Sequence, residues 1–98
     1  MENIVNVAVQ VLPSAKDIHP YTLVDAGIEA IQNSGLTYEV CPFETVIEGP
    51  YDEVMALVKQ VQQACYAAGA EQIITNIKIQ TRRSADVSIE DKIGKYRK

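Results

Sequence analysis

Ninety-eight residues suffice for one hydrophobic core and are too few for two, so the chain is expected to fold as a single domain spanning residues 1–98. Nine Lys and Arg against thirteen Asp and Glu give a formal net charge of −4, which argues against nucleic acid or an anionic membrane as partner, because polyanion binding rests on clustered cations. A 47% hydrophobic share with 22% charged residues excludes intrinsic disorder, and no stretch approaches the ~18 apolar residues of a membrane helix.

The N-terminal stretch MENIVNVAVQVLP has no basic leader, and its apolar run is interrupted by Asn6 and Gln10, so it reads as a strand rather than a signal peptide. From Ile4 to Leu12 the residues alternate: Val5, Val7, Val9 and Val11 point one way, Asn6, Ala8 and Gln10 the other, and Pro13-Ser14 closes the strand. After a polar run through Lys16, Asp17 and Pro20, Val24, Ile28 and Ile31 fall on one helical stripe, which Asn33-Ser34-Gly35 terminates. Two short strands follow, Leu36–Cys41 and Glu44–Glu48, joined tightly through Pro42 and Phe43, before Gly49-Pro50 breaks the pattern. Asp52 then opens the most regular helix of the chain, with Val54, Leu57, Val58, Val61, Ala64, Cys65 and Ala68 on one stripe and Gly69 at its end.

Ile73–Thr81 alternates again, and Ser88 with Asp91 three residues on resembles a capping box that starts a short C-terminal helix. Strand, helix, strand, strand, helix, strand is the split βαβ order. It predicts an α+β, ferredoxin-like βαββαβ fold: a four-stranded antiparallel sheet with two helices on one face and a short C-terminal helix. Val5, Val7, Val9, Ile77 and Ile79 are expected under the helices, and Asn6, Ala8, Gln10, Asn76, Lys78 and Gln80 on an open, semi-polar face suited to a subunit interface or a ligand floor.

No catalytic constellation is visible. His19 is the single histidine, stands at a helix start, and has no positioned acid or base nearby in sequence. The two cysteines, Cys41 and Cys65, lack C-x-x-C spacing, so they read as small core residues with reduced thiols in a cytoplasmic protein, and no metal site is expected. The glycines form no phosphate-binding cluster, Arg82-Arg83 reads as a solvated pair, and the basic C-terminus suits a helix end or an acidic neighbour. The richest stretch runs from Tyr38 to Gly49, where two aromatics, a hydroxyl and several carboxylates share adjacent strands. A ring stacking on a flat ligand, with Thr45 and Glu48 as polar contacts, is one reading; a half-buried hairpin with solvated glutamates is the other, and spacing alone does not choose.

The chain resembles the small thiamine-binding proteins of bacteria, archaea and fungi, a family long known as a domain of unknown function. The resemblance rests on Val11-Leu12-Pro13, on Gly35-Leu36-Thr37-Tyr38-Glu39-Val40 with Pro42, on Thr45-Val46-Ile47-Glu48-Gly49, and on Ser88-Ile89-Glu90-Asp91-Lys92-Ile93 with Lys95-Tyr96-Arg97. It implies a ferredoxin-like homotetramer in which sheets of different subunits pack together. It also implies a binding protein, not an enzyme, for thiamine or its hydroxymethylpyrimidine part, serving carriage, salvage or sensing. Carried over by position, Thr45 and Glu48 would be polar contacts, Tyr38 and Phe43 aromatic walls, and Asn6 a further contact from the neighbouring strand. Apart from that ligand no cofactor is expected. A protein-interaction module without a small ligand and a cofactor-independent enzyme on a ferredoxin-like dimer are the competing readings.

Overall fold

The computed structural model describes residues 3–97. In chain order it comprises β1 (Ile4–Ser14), α1 (Pro20–Gln32), β2 (Thr37–Val40), β3 (Thr45–Pro50), α2 (Tyr51–Ala67), β4 (Gln72–Gln80) and α3 (Ile89–Ile93), the last followed by a 3-10 turn at Gly94–Tyr96. The four strands form one sheet in the order β2-β3-β1-β4, every neighbouring pair antiparallel, which is the ferredoxin-like arrangement expected from the alternation.

β2 and β4 differ from the sequence reading by a residue at each end, and three further boundaries differ for a local reason. β1 continues through Pro13 to Ser14, with Pro13 opposite Ile73; beyond Val9 its β3 side is unpaired, and a proline without an N–H is tolerated beside an open edge. Gly49 and Pro50 extend β3 rather than break it, because they pair with Val5 and Ile4. A Cβ on Gly49 would lie 3.2 Å from Val54 Cγ2 and 3.3 Å from Leu36 Cδ2, so the bare backbone lets the strand end tuck under α2. The N-cap of α2 is Pro50, which offers no side-chain cap; Asp52 and Glu53 instead place negative charge in the first turn, where the helix dipole favours it.

α1 starts as its residues suggest. His19 is its N-cap, Nδ1 accepting the Tyr21 N–H at 3.1 Å, and Pro20 occupies the first helical position. Gly27 sits buried where α1 meets α2: a Cβ there would lie 3.0 Å from Val61 Cγ1 and 3.1 Å from Cys65 Sγ. Both helices lie mainly over β1 and β3, burying Val5, Val7, Val9 and Ile47 against Leu57, Val58 and Val61. β4 is covered only in its first half, where Gln62 Nε2 of α2 donates to the Thr75 hydroxyl at 2.9 Å. Register places Ile79 beside Val7 and Ile77 beside Val9, on the helix side as expected, yet the two isoleucines are 40% and 38% exposed because the helices do not extend over the second half of β4.

The other face is only partly open. After β4 the chain turns back, and the Val87 N–H donates to the Ile4 carbonyl at 2.9 Å while the Ile4 N–H donates to Asp86 Oδ1 at 2.7 Å. Val87 and Ile89 are buried, so residues 86–89 cover the start of β1. Ser88 caps α3, its hydroxyl accepting the Asp91 N–H. Arg97 reaches back to Glu39 at 2.8 Å and to Glu90 at 3.4 Å, exposed pairs that contribute little individually.

Candidate functional site

The sheet is staggered, and the stagger makes a cavity. β3 pairs with β1 only as far as Val9–Thr45, whereas β1 runs on to Ser14. Beyond that last pair no third strand fills the space beneath α1, and the hairpin turn from Cys41 to Glu44, closed by the Cys41 N–H donating to the Glu44 carbonyl at 3.0 Å, only partly occupies it. A cavity of about 160 Å³ remains, with Val9 and Val11 as floor, Val24, Ile28 and Ile31 as the α1 wall, and Val40 to Thr45 as the opposite wall.

Its lining is mostly apolar, with Gln10, Glu44 and Thr45 as its polar members, and two residues stand out. Thr45 is 6% exposed, lines the cavity, and its hydroxyl has no hydrogen-bond partner among the described residues. Phe43 is the reverse case: it stands at the turn tip, 82% exposed, where closing onto a bound ring would remove apolar surface from water. Cys41 is also on the wall, half-buried and free. Cys65 lies behind it in the helix interface, its thiol directed at the Leu23 carbonyl at 3.3 Å; burial pushes that thiol's pKa up, against a smaller opposing contribution from the Gly27 backbone.

Of the five residues expected to form the site, two reach this cavity, Phe43 and Thr45. Tyr38 shares the helix-side face with Thr45, but stands opposite Ile47 and packs half-buried against the main core, away from the cavity. Asn6 and Glu48 are paired in register on the opposite face of the sheet. Glu48 Oε1 accepts the Ile89 N–H at 2.6 Å, and Asn6 Nδ2 donates to the Val87 carbonyl at 3.1 Å, with Glu48 Oε1 at the 3.5 Å limit. Asn6 is 3% exposed, and its Oδ1 is buried without a partner. The pair thus grips residues 87–89, and the five residues do not converge on one pocket.

Sequence reasoning missed the α1 wall because Val24, Ile28 and Ile31 carry the same stripe as any core helix. The signal that separates them is strand length: an eleven-residue β1 beside a six-residue β3 leaves part of α1 with no strand below. His19 has its Nδ1 engaged in capping and its ring 5.0 Å from that of Tyr21, on the exposed surface outside the cavity. No three His, Cys, Asp or Glu side chains among the described residues converge as metal ligands, and no helix there is long and apolar enough to cross a membrane.

Comparison with known proteins places the architecture among relatives. A family model described as "Thiamine-binding protein" matches residues 7–97. A UPF0045 protein of Clostridium perfringens is 40% identical over 92 residues, covering 94% of this chain and 96% of its own length. A solved domain of unknown function from Bacillus cereus superposes with a TM-score of 0.92 at 46% identity, covering 97% of this chain and 91% of that one. A Thermotoga maritima structure, described provisionally as a thiamine biosynthesis/salvage protein, gives a TM-score of 0.85 at 31% identity, covering 96% of this chain and 99% of that one.

Proposed function

The chain belongs to the thiamine-binding protein family, and from that premise we propose that it binds thiamine or a thiamine-related hydroxymethylpyrimidine in the cavity beneath the β2–β3 hairpin. The observation that carries the reading is the Thr45 hydroxyl, without a side-chain or backbone partner among the described residues, in a cavity whose other polar lining residues are Gln10 and Glu44. That hydroxyl keeps access to solvent through the cavity, so a ligand that hydrogen-bonds it gains roughly 0.5–1.5 kcal/mol net. An aminopyrimidine offers both a donor and ring acceptors at its edge, and flat faces that fit between Val9 or Val11 and Ile28, with Phe43 closing as an aromatic lid.

Tyr38 supports the hairpin from the core side, and Asn6 with Glu48 acts through the C-terminal segment rather than by touching this ligand. We read the protein as a carrier, salvage component or sensor without turnover, since no acid–base pair faces the cavity and His19 is occupied as a cap. Its free thiols suit the cytoplasm. It assembles as a homo-oligomer, a tetramer by family likeness, and the edge strand β4, with Ile74 53%, Ile77 38% and Ile79 40% exposed, is the contact surface we assign. Exposed isoleucines on both faces of this edge strand, Ile77 and Ile79 on one and Ile74 on the other, are what favours a protein-interaction module as the second reading.

Calorimetric titration with thiamine, thiamine pyrophosphate and hydroxymethylpyrimidine tests the proposal. Saturable heat from one of them, lost in Thr45→Val while the unliganded melting point is kept, supports it. Unchanged binding by that variant removes the site, and no heat from any of the three makes the interaction module the leading reading.

A further inference from the structure

The backbone of β1 is unpaired where it passes the hairpin cavity. In an antiparallel sheet the N–H and C=O of one residue point to the same neighbouring strand, and successive residues point to opposite neighbours. The Cys41 N–H donates to the Glu44 carbonyl, so Val46 and Glu48 bond toward β2, and Thr45, Ile47 and Gly49 bond toward β1. Their partners in register are Val9, Val7 and Val5. The even-numbered residues of β1 face the other way: the Ile4 carbonyl accepts from Val87, and the Ser14 carbonyl from Glu71 at the start of β4.

Val11 is next in the odd series. Its N–H and C=O point to the β3 side, where β3 has ended, and neither has a partner among the described residues. Val11 lines the cavity, which lies beneath α1 with the Cys41–Glu44 turn across the gap. The free edge is short. Leu12 bonds toward β4, and Pro13, the next residue facing the gap, has no N–H. The edge therefore offers one donor, with the Val11 carbonyl beside it. An added peptide strand needs donors at alternate residues, which Pro13 denies it, whereas a planar molecule with an acceptor next to a donor needs only this pair.

Resting on the ligand reading above, we propose that the Val11 backbone reads the ligand, and that it selects heterocycles with an amidine edge, a ring nitrogen next to an amino-bearing carbon. The Val11 N–H donates to that ring nitrogen, and the Val11 C=O accepts one amino proton. The Thr45 hydroxyl, at the end of β3 opposite Val9, is left for the second ring nitrogen of a pyrimidine. An oxo group in place of the amine turns the edge into donor next to acceptor. Such a ring pairs with Val11 only when turned over, and its second ring nitrogen then leaves Thr45.

The test is a nitrogen-15 NMR titration of the full chain with hydroxymethylpyrimidine, with 4-aminopyrimidine and unsubstituted pyrimidine as separate arms. The Val11 amide should move downfield and saturably with the two amines, and pyrimidine should bind about fivefold more weakly than 4-aminopyrimidine, the scale of one neutral hydrogen bond. In the free protein the Val11 amide should exchange with solvent far faster than that of Val9, which is in the ladder. Val11→Pro deletes a donor that no strand uses and should weaken hydroxymethylpyrimidine about fivefold; should that variant not fold, the Val11 amide shift decides. If hydroxymethylpyrimidine binds and Thr45→Val loses it while the Val11 amide stays in place, the cavity reading stands and this one falls. If 4-aminopyrimidine moves Val11 and hydroxymethylpyrimidine does not bind, the edge recognition stands and the thiamine-related ligand falls. Three further results overturn the proposal: no shift at Val11 with any compound, wild-type affinity in a folded Val11→Pro, or a slowly exchanging Val11 amide in the free protein, which would mean that a second copy already pairs it.

Discussion

Replacing Glu48 by alanine tests whether this residue holds the fold or a ligand. Its Oε1 receives the Ile89 N–H at 2.6 Å and helps orient Asn6, which in turn holds the Val87 carbonyl. A hydrogen bond to a charged acceptor is worth roughly 1.5–3 kcal/mol when buried, and this one is partly screened, so Glu48→Ala should cost about 2 kcal/mol. For a chain of this length that corresponds to a melting point lower by about 10 °C. Glu48→Gln keeps an acceptor oxygen and should lose about half as much. Amide exchange localises the effect: Val87, bonded to Ile4, and Ile89 should lose protection well before Val7 in the central strand does. The reasoning is refuted if Glu48→Ala melts with the wild type, keeps Val87 protected and yet no longer responds to thiamine-related ligands, for then Glu48 is a ligand group.

Other expectations follow from the packing. Gly27→Ala trades about 1 kcal/mol of helix propensity against a Cβ placed 3.0 Å from Val61 and 3.1 Å from Cys65; with two helices forced apart the net should be a loss of about 1 kcal/mol, read from the denaturation midpoint. Ile77→Lys with Ile79→Lys should leave the monomer folded, because a lysine stem can lie along the same half-covered surface with its ammonium in water, and shift the species seen by light scattering toward lower mass. In the native protein a thiol reagent should modify half-buried Cys41 quickly and buried Cys65 only as the chain unfolds. Because the folded Cys65 pKa is raised, its contribution to stability is intact below the unfolded thiol's pKa and is lost as pH rises through the folded value, so urea midpoints should fall on the alkaline side, with a smaller fall in Cys65→Ala.

Alternation and stripe made the element order legible, and the valines of β1 were assignable to the core because strict period two leaves no other face. The reach of the helices was not: nothing in Ile77 or Ile79 records that α1 and α2 do not extend over the second half of β4. The grip of Asn6 and Glu48 on residues 87–89 depends on a chain reversal eighty residues away from β1, beyond any local pattern. Thr45 and Glu48 are a different case. They lie three apart on one strand, so alternation alone sends them to opposite faces, and only the shared Thr-x-x-Glu-Gly motif suggests treating them as one set.

The staggered sheet gives the hairpin cavity an unusual mode of variation. Its volume is set by how far β2 and β3 accompany β1, not by a missing side chain, so it changes with turn length while Val5, Val7 and Ile47 stay as they are. Two residues added to each of β2 and β3 would bring the hairpin alongside Val11 and fill the space, whereas an insertion confined to the turn leaves the Thr45–Val9 pair, and with it the face of Thr45, unchanged. The room beneath α1 is therefore set by the reach of the hairpin and not by the core beside it.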